Sequence, residues 1–363
     1  MQEIPTLKHM RDAFEQKCVV DFLEDAYGIG NSKGTKEAYR YALYAFNRFC
    51  IKIYEKNLVE LISDLKNKPM DSSIQVFVEF KRYLDKKITK FDNPLSNHTK
   101  RVYFTILKKF FRTNGIKISQ EDISDNIRIG RRMRVQKYAL DHATVAKIIG
   151  AMNSFEFKTL STLLASTGMR VMEAIKLQPS DFDFNSFPVP VYIKASHTKT
   201  NEARTVYLTT ECVGMIEQLI NNKQSEQPYL FGKSTSADQV YETYQKAFRR
   251  VMHKLGLYKI LDNGINQITI HSFRQFFRTY AGHHINRDYA DSFIGHRFYL
   301  SEYENMPEEE RKKIFLQLEP HMTLTGSKVQ KHPKDPEVSV LQDQLAQLQE
   351  KIRILGIKYL QQT

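Results

Sequence analysis

Thr269-Ile270-His271-Ser272-Phe273-Arg274-Gln275-Phe276-Phe277-Arg278 is the stretch whose reading decides the fold. A histidine and an arginine three residues apart sit one helical turn from each other, so both side chains reach one small target. Phe273, Phe276, Phe277 and Tyr280 recur at the three- and four-residue spacing of a helix face turned toward a core. The pattern predicts an amphipathic helix whose start carries the polar chemistry.

Working outward, Ser166-Thr167-Gly168-Met169-Arg170-Val171-Met172-Glu173-Ala174-Ile175 lies about a hundred residues upstream. Gly168 permits a close turn, and Arg170 and Glu173, three apart, fall on one helix face where the carboxylate orients the guanidinium. Taken alone, the pair also fits an ordinary helix surface. Between these segments, Val189 to Ala195 and Ala203 to Thr209 are β-prone and flank the polar turn Ser196-His197-Thr198-Lys199-Thr200-Asn201-Glu202, which predicts a hairpin with Lys199 in its turn. An exposed turn lysine is the ordinary reading of that position. Downstream, Ser292-Phe293-Ile294-Gly295-His296 places a helix-ending glycine before a histidine, and Tyr299 and Tyr303 follow. Two arginines can neutralise a phosphate, a lysine and a histidine can move protons, and a tyrosine can hold phosphate covalently. Arg170, Glu173, Lys199, His271, Arg274, His296 and Tyr303 together suit metal-free cutting of a phosphodiester.

Around this core the chain divides into five parts. Residues 12–125 read as a small helical bundle: Tyr39, Leu43, Phe46 and Phe49 form one stripe, and Ser96 suits the N-cap of a helix carrying Val102, Tyr103, Ile106, Leu107, Phe110 and Phe111. Lys33, Lys36, Arg40, Lys100, Arg101, Lys108, Lys109 and Arg112 accompany these helices and could line a phosphate-facing surface, although a solvated face explains any one of them equally well. Residues 126–138, with Arg128, Arg131, Arg132 and Arg134 and no acidic residue, read as a basic linker touching DNA. Residues 139–325 form the second domain, helical over 141–178, 238–255 and 271–318. Residues 326–336 read as a polar linker, and 337–361 as a terminal helix. There Val338, Leu341, Leu345, Leu348, Ile352, Leu355 and Tyr359 follow the a/d seam of a coiled coil, weakened near its end by Gly356. The fold class expected is mainly α with a small β-hairpin.

Composition sets outer bounds. The 363 residues carry 54 Lys+Arg against 41 Asp+Glu, a net +13 that fits a polyanionic partner. Cys18, Cys50 and Cys212 are odd in number and widely separated, which argues against a disulfide framework or a zinc site and for a reducing interior. No apolar run reaches the length of a membrane span and no signal-peptide pattern opens the chain, so a cytoplasmic location is expected.

The boxes around Arg170, His271–Arg274 and Gly295–His296, with the hairpin lysine between them, resemble the tyrosine recombinases, the phage-integrase family. The resemblance covers roughly residues 15–325 and implies a site-specific DNA recombinase acting through a 3′-phosphotyrosyl intermediate, with no metal or nucleotide cofactor. It implies that Lys199 protonates the leaving 5′ oxygen and that His296 serves a phosphate oxygen or the tyrosine. It further implies double-stranded attachment sites as partners and a tetramer on DNA, with room for a directionality factor. The departure lies at the nucleophile: most members place the tyrosine nine residues after the Gly-His histidine, where this chain has Asn305. Tyr303 is assigned the role and Tyr299 is the second choice. The shorter interval resembles archaeal-type integrases, in which Tyr-Leu-x-x-Tyr precedes an acidic helix, as Met306-Pro307-Glu308-Glu309-Glu310 does here. Two alternatives share the fold: a type IB topoisomerase-like enzyme, and a DNA-binding regulator that does not cut.

Overall fold

The computed structural model describes residues 13–30, 33–86, 95–131, 135–223, 229–295 and 306–324. Its contacts part into two compact units at Val135 and Gln136.

The first unit is all helical: α1 Lys17–Gly30, α2 Lys33–Tyr54, α3 Leu58–Lys66, α4 Met70–Asp85, α5 Asn97–Thr113 and α6 Gln120–Asn126. Its core is aromatic. Leu43, Phe46 and Phe49 of the expected α2 stripe are fully buried, and Tyr39 is half-buried against Phe22. Phe46, Phe49, Phe77, Phe80 and Phe111 interlock edge to face or tilted, with centroids 4.7–5.8 Å apart. Ser96 caps α5 as its position suggests, its hydroxyl accepting from Thr99 N at 3.1 Å. Asn57 caps α3 with a reciprocal bond from its own N–H to Glu60.

The stretch expected as a basic linker touching DNA begins inside this unit. Ile127 is buried in the first core and Ile129 packs against it. Arg101 donates to the carbonyls of Ile129 and Gly130 at 3.0 and 3.1 Å, and Asn97 donates to Arg131 O. Two apolar side chains at alternate positions anchor what charge alone marks as solvated.

The second unit contains α7 His142–Gly150, α8 Phe155–Thr167, α9 Val171–Ile175, β1 Pro190–Ile193, β2 Arg204–Tyr207, α10 Thr210–Asn221, α11 Ala237–Lys254, α12 His271–His284, α13 Arg287–Phe293 and α14 Glu308–Leu318. The mainly α architecture with one small antiparallel hairpin matches the expected class. β1 and β2 pair from Pro190 with Tyr207 to Ile193 with Arg204, shorter than the β-prone runs that flank the turn. Among the described residues, the helical reading of 271–318 resolves into three helices. The first break comes at Ile285, whose backbone leaves the helical region, and Asn286 then caps α13 by accepting from Tyr289 N at 3.0 Å.

α8 is buried on nearly every side, and its hydroxyls at Thr159, Ser161, Thr162, Ser166 and Thr167 donate to backbone carbonyls of the preceding turn. Ser161 Oγ bonds the Tyr244 hydroxyl at 2.8 Å in the core. α12 packs against α8 and α13, so the helix opening at His271 is held between two others. α14 closes the unit, with Phe315 on Tyr207 and Phe293 and with Leu318 fully buried. After it, Glu319 accepts from Thr210 N and Oγ1 at 2.5 and 2.8 Å. No described helix is long and apolar enough to cross a membrane.

Candidate active site

Gly168 ends α8 at φ +64°, a left-handed conformation that favours glycine. A Cβ there would sit 2.5 Å from Phe277 Cδ1 and 2.8 Å from Ile294 Cγ2, so the glycine is required by space as well as by dihedral. Gly168→Ala is expected to destabilise the fold by about 3 kcal/mol, combining strained backbone with overpacking. Chemical denaturation with an unchanged midpoint would refute this.

The turn at Gly168 sets Arg170 just ahead of α9. Arg170 is the extended residue that caps α9 rather than a member of the helix, and Glu173 folds back toward it. Glu173 Oε2 accepts from the Arg170 N–H at 2.9 Å and Oε1 accepts from Nη1 at 2.8 Å. The side chain of Glu173 is 1% exposed and that of Arg170 is 28% exposed, so the acid is an internal anchor and the arginine is the member that faces outward. The contact through which the carboxylate was expected to orient the guanidinium is present.

Arg274, on the first turn of α12, is buried. Its Nη1 donates to Gly168 O at 2.8 Å and its Nη2 to Ile294 O at 2.6 Å. Burial pulls its pKa down to about 9, with Arg170 and Arg204 adding repulsion that Glu173 and Asp291 only partly offset. The folded state therefore carries a penalty for this charge that is fully present below about pH 9 and is relieved as pH rises toward the ordinary arginine value. A bound anion would relieve it at neutral pH. Asp291, the other nearby carboxylate, is engaged by Arg278 through both oxygens.

Arg204, on β2, is the member that sequence reasoning passed over. Its Nη2 donates to Glu173 Oε2 at 2.6 Å and its Nε to Phe293 O at 3.0 Å, with the side chain only 2% exposed. Two guanidiniums therefore hold one buried carboxylate, and that of Arg274 lies near enough to feel its charge, leaving positive charge in excess. The signal was a β-prone strand with an arginine at an inward position, where alternation alone puts an apolar residue.

Glu173 keeps its charge under these conditions. Burial, which alone raises a carboxyl, is outweighed by Arg204 and then Arg170, and its pKa ends below the usual value. With the folded pKa lowered, the stability it contributes is fully present above the ordinary glutamate range and is lost as pH falls through the folded value. Glu173→Gln should destabilise the protein by about 3–5 kcal/mol near pH 7, leaving buried arginines uncompensated. The gap to wild type should narrow on acidification below about pH 4. Urea midpoints measured from pH 7 to pH 3 check both; a gap constant with pH would count against the ion pair.

Lys199 is exposed in the turn between β1 and β2, where Thr198 Oγ1 ties the turn to Ala195 O and Glu202 at 3.0–3.1 Å. His271 is exposed as the first residue of α12. Gly295 follows α13 at φ +73°, as a helix-ending glycine should. His296, Tyr299 and Tyr303 lie outside the described residues, as do Arg132, Arg134, the 326–336 linker and the 337–361 heptads. The segment bearing the two tyrosines is bounded by held ends: Gly295 N bonds Ser292 O at 2.8 Å, and Met306 Sδ accepts from the Tyr289 hydroxyl at 3.8 Å. Among the described residues no cluster of His, Cys, Asp and Glu is arranged to hold a metal ion.

In the first unit the basic residues separate into kinds. Lys33 opens α2, Lys36, Arg40, Arg128 and Arg131 are exposed, and Lys108 is half-buried. Lys100 departs from the phosphate-facing expectation: it is buried and its Nζ bonds Asp85 at 2.6 Å. Arg101 is exposed but spends its guanidinium on the carbonyls of Ile129 and Gly130.

Residues 139–299 match the model of the phage integrase family. The chain is 24% identical over 263 residues to the TnP I resolvase of Bacillus thuringiensis, a match covering 69% of this chain and 78% of that relative. It is 24% identical over 159 residues to the tyrosine recombinase XerA of Saccharolobus solfataricus, covering 44% of this chain and 48% of the relative. Among solved structures, a lambda integrase dimer bound to a COC′ core site aligns with a TM-score of 0.52 at 16% identity, over 80% of this chain and 99% of that one. That likeness is one of fold.

Proposed function

We propose, from the match of residues 139–299 to the phage integrase family, that this chain is a tyrosine recombinase that cuts and rejoins double-stranded DNA at specific sites through a 3′-phosphotyrosyl intermediate. The observation that carries the reading is the excess of positive charge at Arg170 and Arg274, two arginines held by Glu173, Gly168 O and Ile294 O. Preorganised donors of this kind stabilise charge as it develops on a phosphate, because they need no reorganisation during the reaction.

In this mechanism Tyr303 Oη attacks the phosphorus in line, the bond to the 5′ oxygen breaks, and the tyrosine becomes bonded to the 3′ phosphate. Lys199 gives a proton to the leaving 5′ oxygen, and the phenolic proton passes to a base, for which His271 is proposed. His296 is assigned to a non-bridging oxygen or to the tyrosine. Rejoining reverses the steps: a 5′ hydroxyl attacks the phosphotyrosine and returns its proton to the lysine. One phosphoester replaces another, so the exchange consumes no external energy.

The exposed Lys36, Arg40, Arg128 and Arg131 support a role for the first unit in holding phosphates. Nothing in the catalytic set biases exchange toward joining or separating sites, which leaves direction to the DNA or to a separate directionality factor. A tetramer on two sites is proposed, with the 338–363 heptads as an assembly contact. Removing residues 338–363 should lower the mass of the DNA-bound assembly by light scattering; an unchanged mass would exclude that role.

The direct test uses the full chain and nicked suicide duplexes tiled across its flanking genomic DNA. A protein–DNA adduct that survives denaturation supports the reading, and its absence on every duplex overturns it in favour of a non-cutting regulator. Relaxation of supercoiled plasmid without paired sites would favour the topoisomerase-like alternative.

A further inference from the structure

Arg204 lies on β2, five residues after Lys199, and its guanidinium points entirely into the protein. It takes Glu173 Oε2, the same oxygen that receives the Arg170 N–H, while Glu173 Oε1 holds the Arg170 guanidinium. Its Nε holds Phe293 O, next to the Ile294 carbonyl that anchors Arg274. It also packs across the following turn: a Cβ on Gly295 would lie 3.0 Å from Arg204 Nη1 and 3.2 Å from Cζ. One side chain from the hairpin thus braces the supports of both arginines and the backbone immediately before His296.

Resting on the recombinase reading above, we propose that Arg204 is a positioning residue for strand cleavage, coupling the Lys199 hairpin to the two arginines. With its side chain sealed from solvent it does not bind phosphate itself; it acts through Glu173 and the Phe293–Gly295 backbone. Its loss therefore lowers the rate of cleavage and leaves affinity for duplex unchanged.

The test reads single-turnover adduct formation at saturating protein and, separately, duplex affinity by mobility shift. Arg204→Lys keeps the charge but cannot span both Glu173 and Phe293 O. Arg204→Gln, which keeps an amide donor and leaves Glu173 paired with Arg170, is the second variant if the first fails to fold. In both, cleavage is expected to fall between about 10- and 100-fold, as for a displaced catalytic group, with affinity unchanged. Adding Arg170→Ala to Arg204→Lys should reduce the rate by less than the product of the separate losses, because both act on one interaction. Wild-type cleavage rates in both variants, a parallel drop in affinity, or fully multiplicative losses would overturn the inference while leaving the recombinase reading intact. A wild-type chain that forms no adduct overturns the recombinase reading instead, and this inference with it.

Discussion

Tyr303→Phe is expected to abolish the covalent protein–DNA adduct on a suicide duplex while leaving duplex binding intact. The change removes one hydroxyl, and with it the oxygen that forms the phosphoester. Deleting a nucleophile costs on the order of 10⁶ in rate where the loss has been measured in detail. Tyr299→Phe in parallel should cleave at near the wild-type rate. The comparison matters because two tyrosines lie within seven residues of His296 and neither stands at the family's usual interval. An adduct that persists in Tyr303→Phe and vanishes in Tyr299→Phe would transfer the role to Tyr299. Loss in neither would remove both from the chemistry.

The second large effect belongs to Arg274. Arg274→Ala should slow cleavage by at least about 10²–10³-fold, the usual cost of one preorganised donor to developing negative charge. It also strands the carbonyls of Gly168 and Ile294, each bonded to a different Nη, which adds about 1–3 kcal/mol of lost stability per buried group left unsatisfied. Rate and stability are separated by the response to DNA. Because burial and neighbouring arginines penalise the Arg274 charge, a cognate duplex should raise the melting temperature of wild type more than that of Arg274→Met, which carries no such charge. Equal shifts would mean that Arg274 does not face the phosphate.

Much of the local geometry of the candidate site was legible along the chain, since it rests on short-range contacts. The Arg170–Glu173 contact spans three residues, and a short stretch of backbone suffices to make it. Gly168 and Gly295 were readable as turn glycines because they end helical patterns, and both adopt positive φ. Ser96 was readable as a cap because the first turn of a helix leaves N–H groups that a serine satisfies. Aromatic spacing likewise located the cores of both units, since burial of one helix face repeats at the helical period.

Other features came only with tertiary structure. Arg204 meets Glu173 across 31 residues and Phe293 across 89, distances over which no periodicity carries information. Lys100 looked like any cation on a basic helix until Asp85 of the neighbouring helix appeared beside it. The start of the basic linker showed only its charge until Ile127 and Ile129 were found packed on the first core. The sequence by itself determined the helical class, the hairpin and the order of the polar boxes, because spacing, caps and turn residues act over a few bonds. The tertiary structure alone decided which cations are spent inside the protein and which stay exposed, because desolvation and ion pairing depend on neighbours that chain connectivity does not specify.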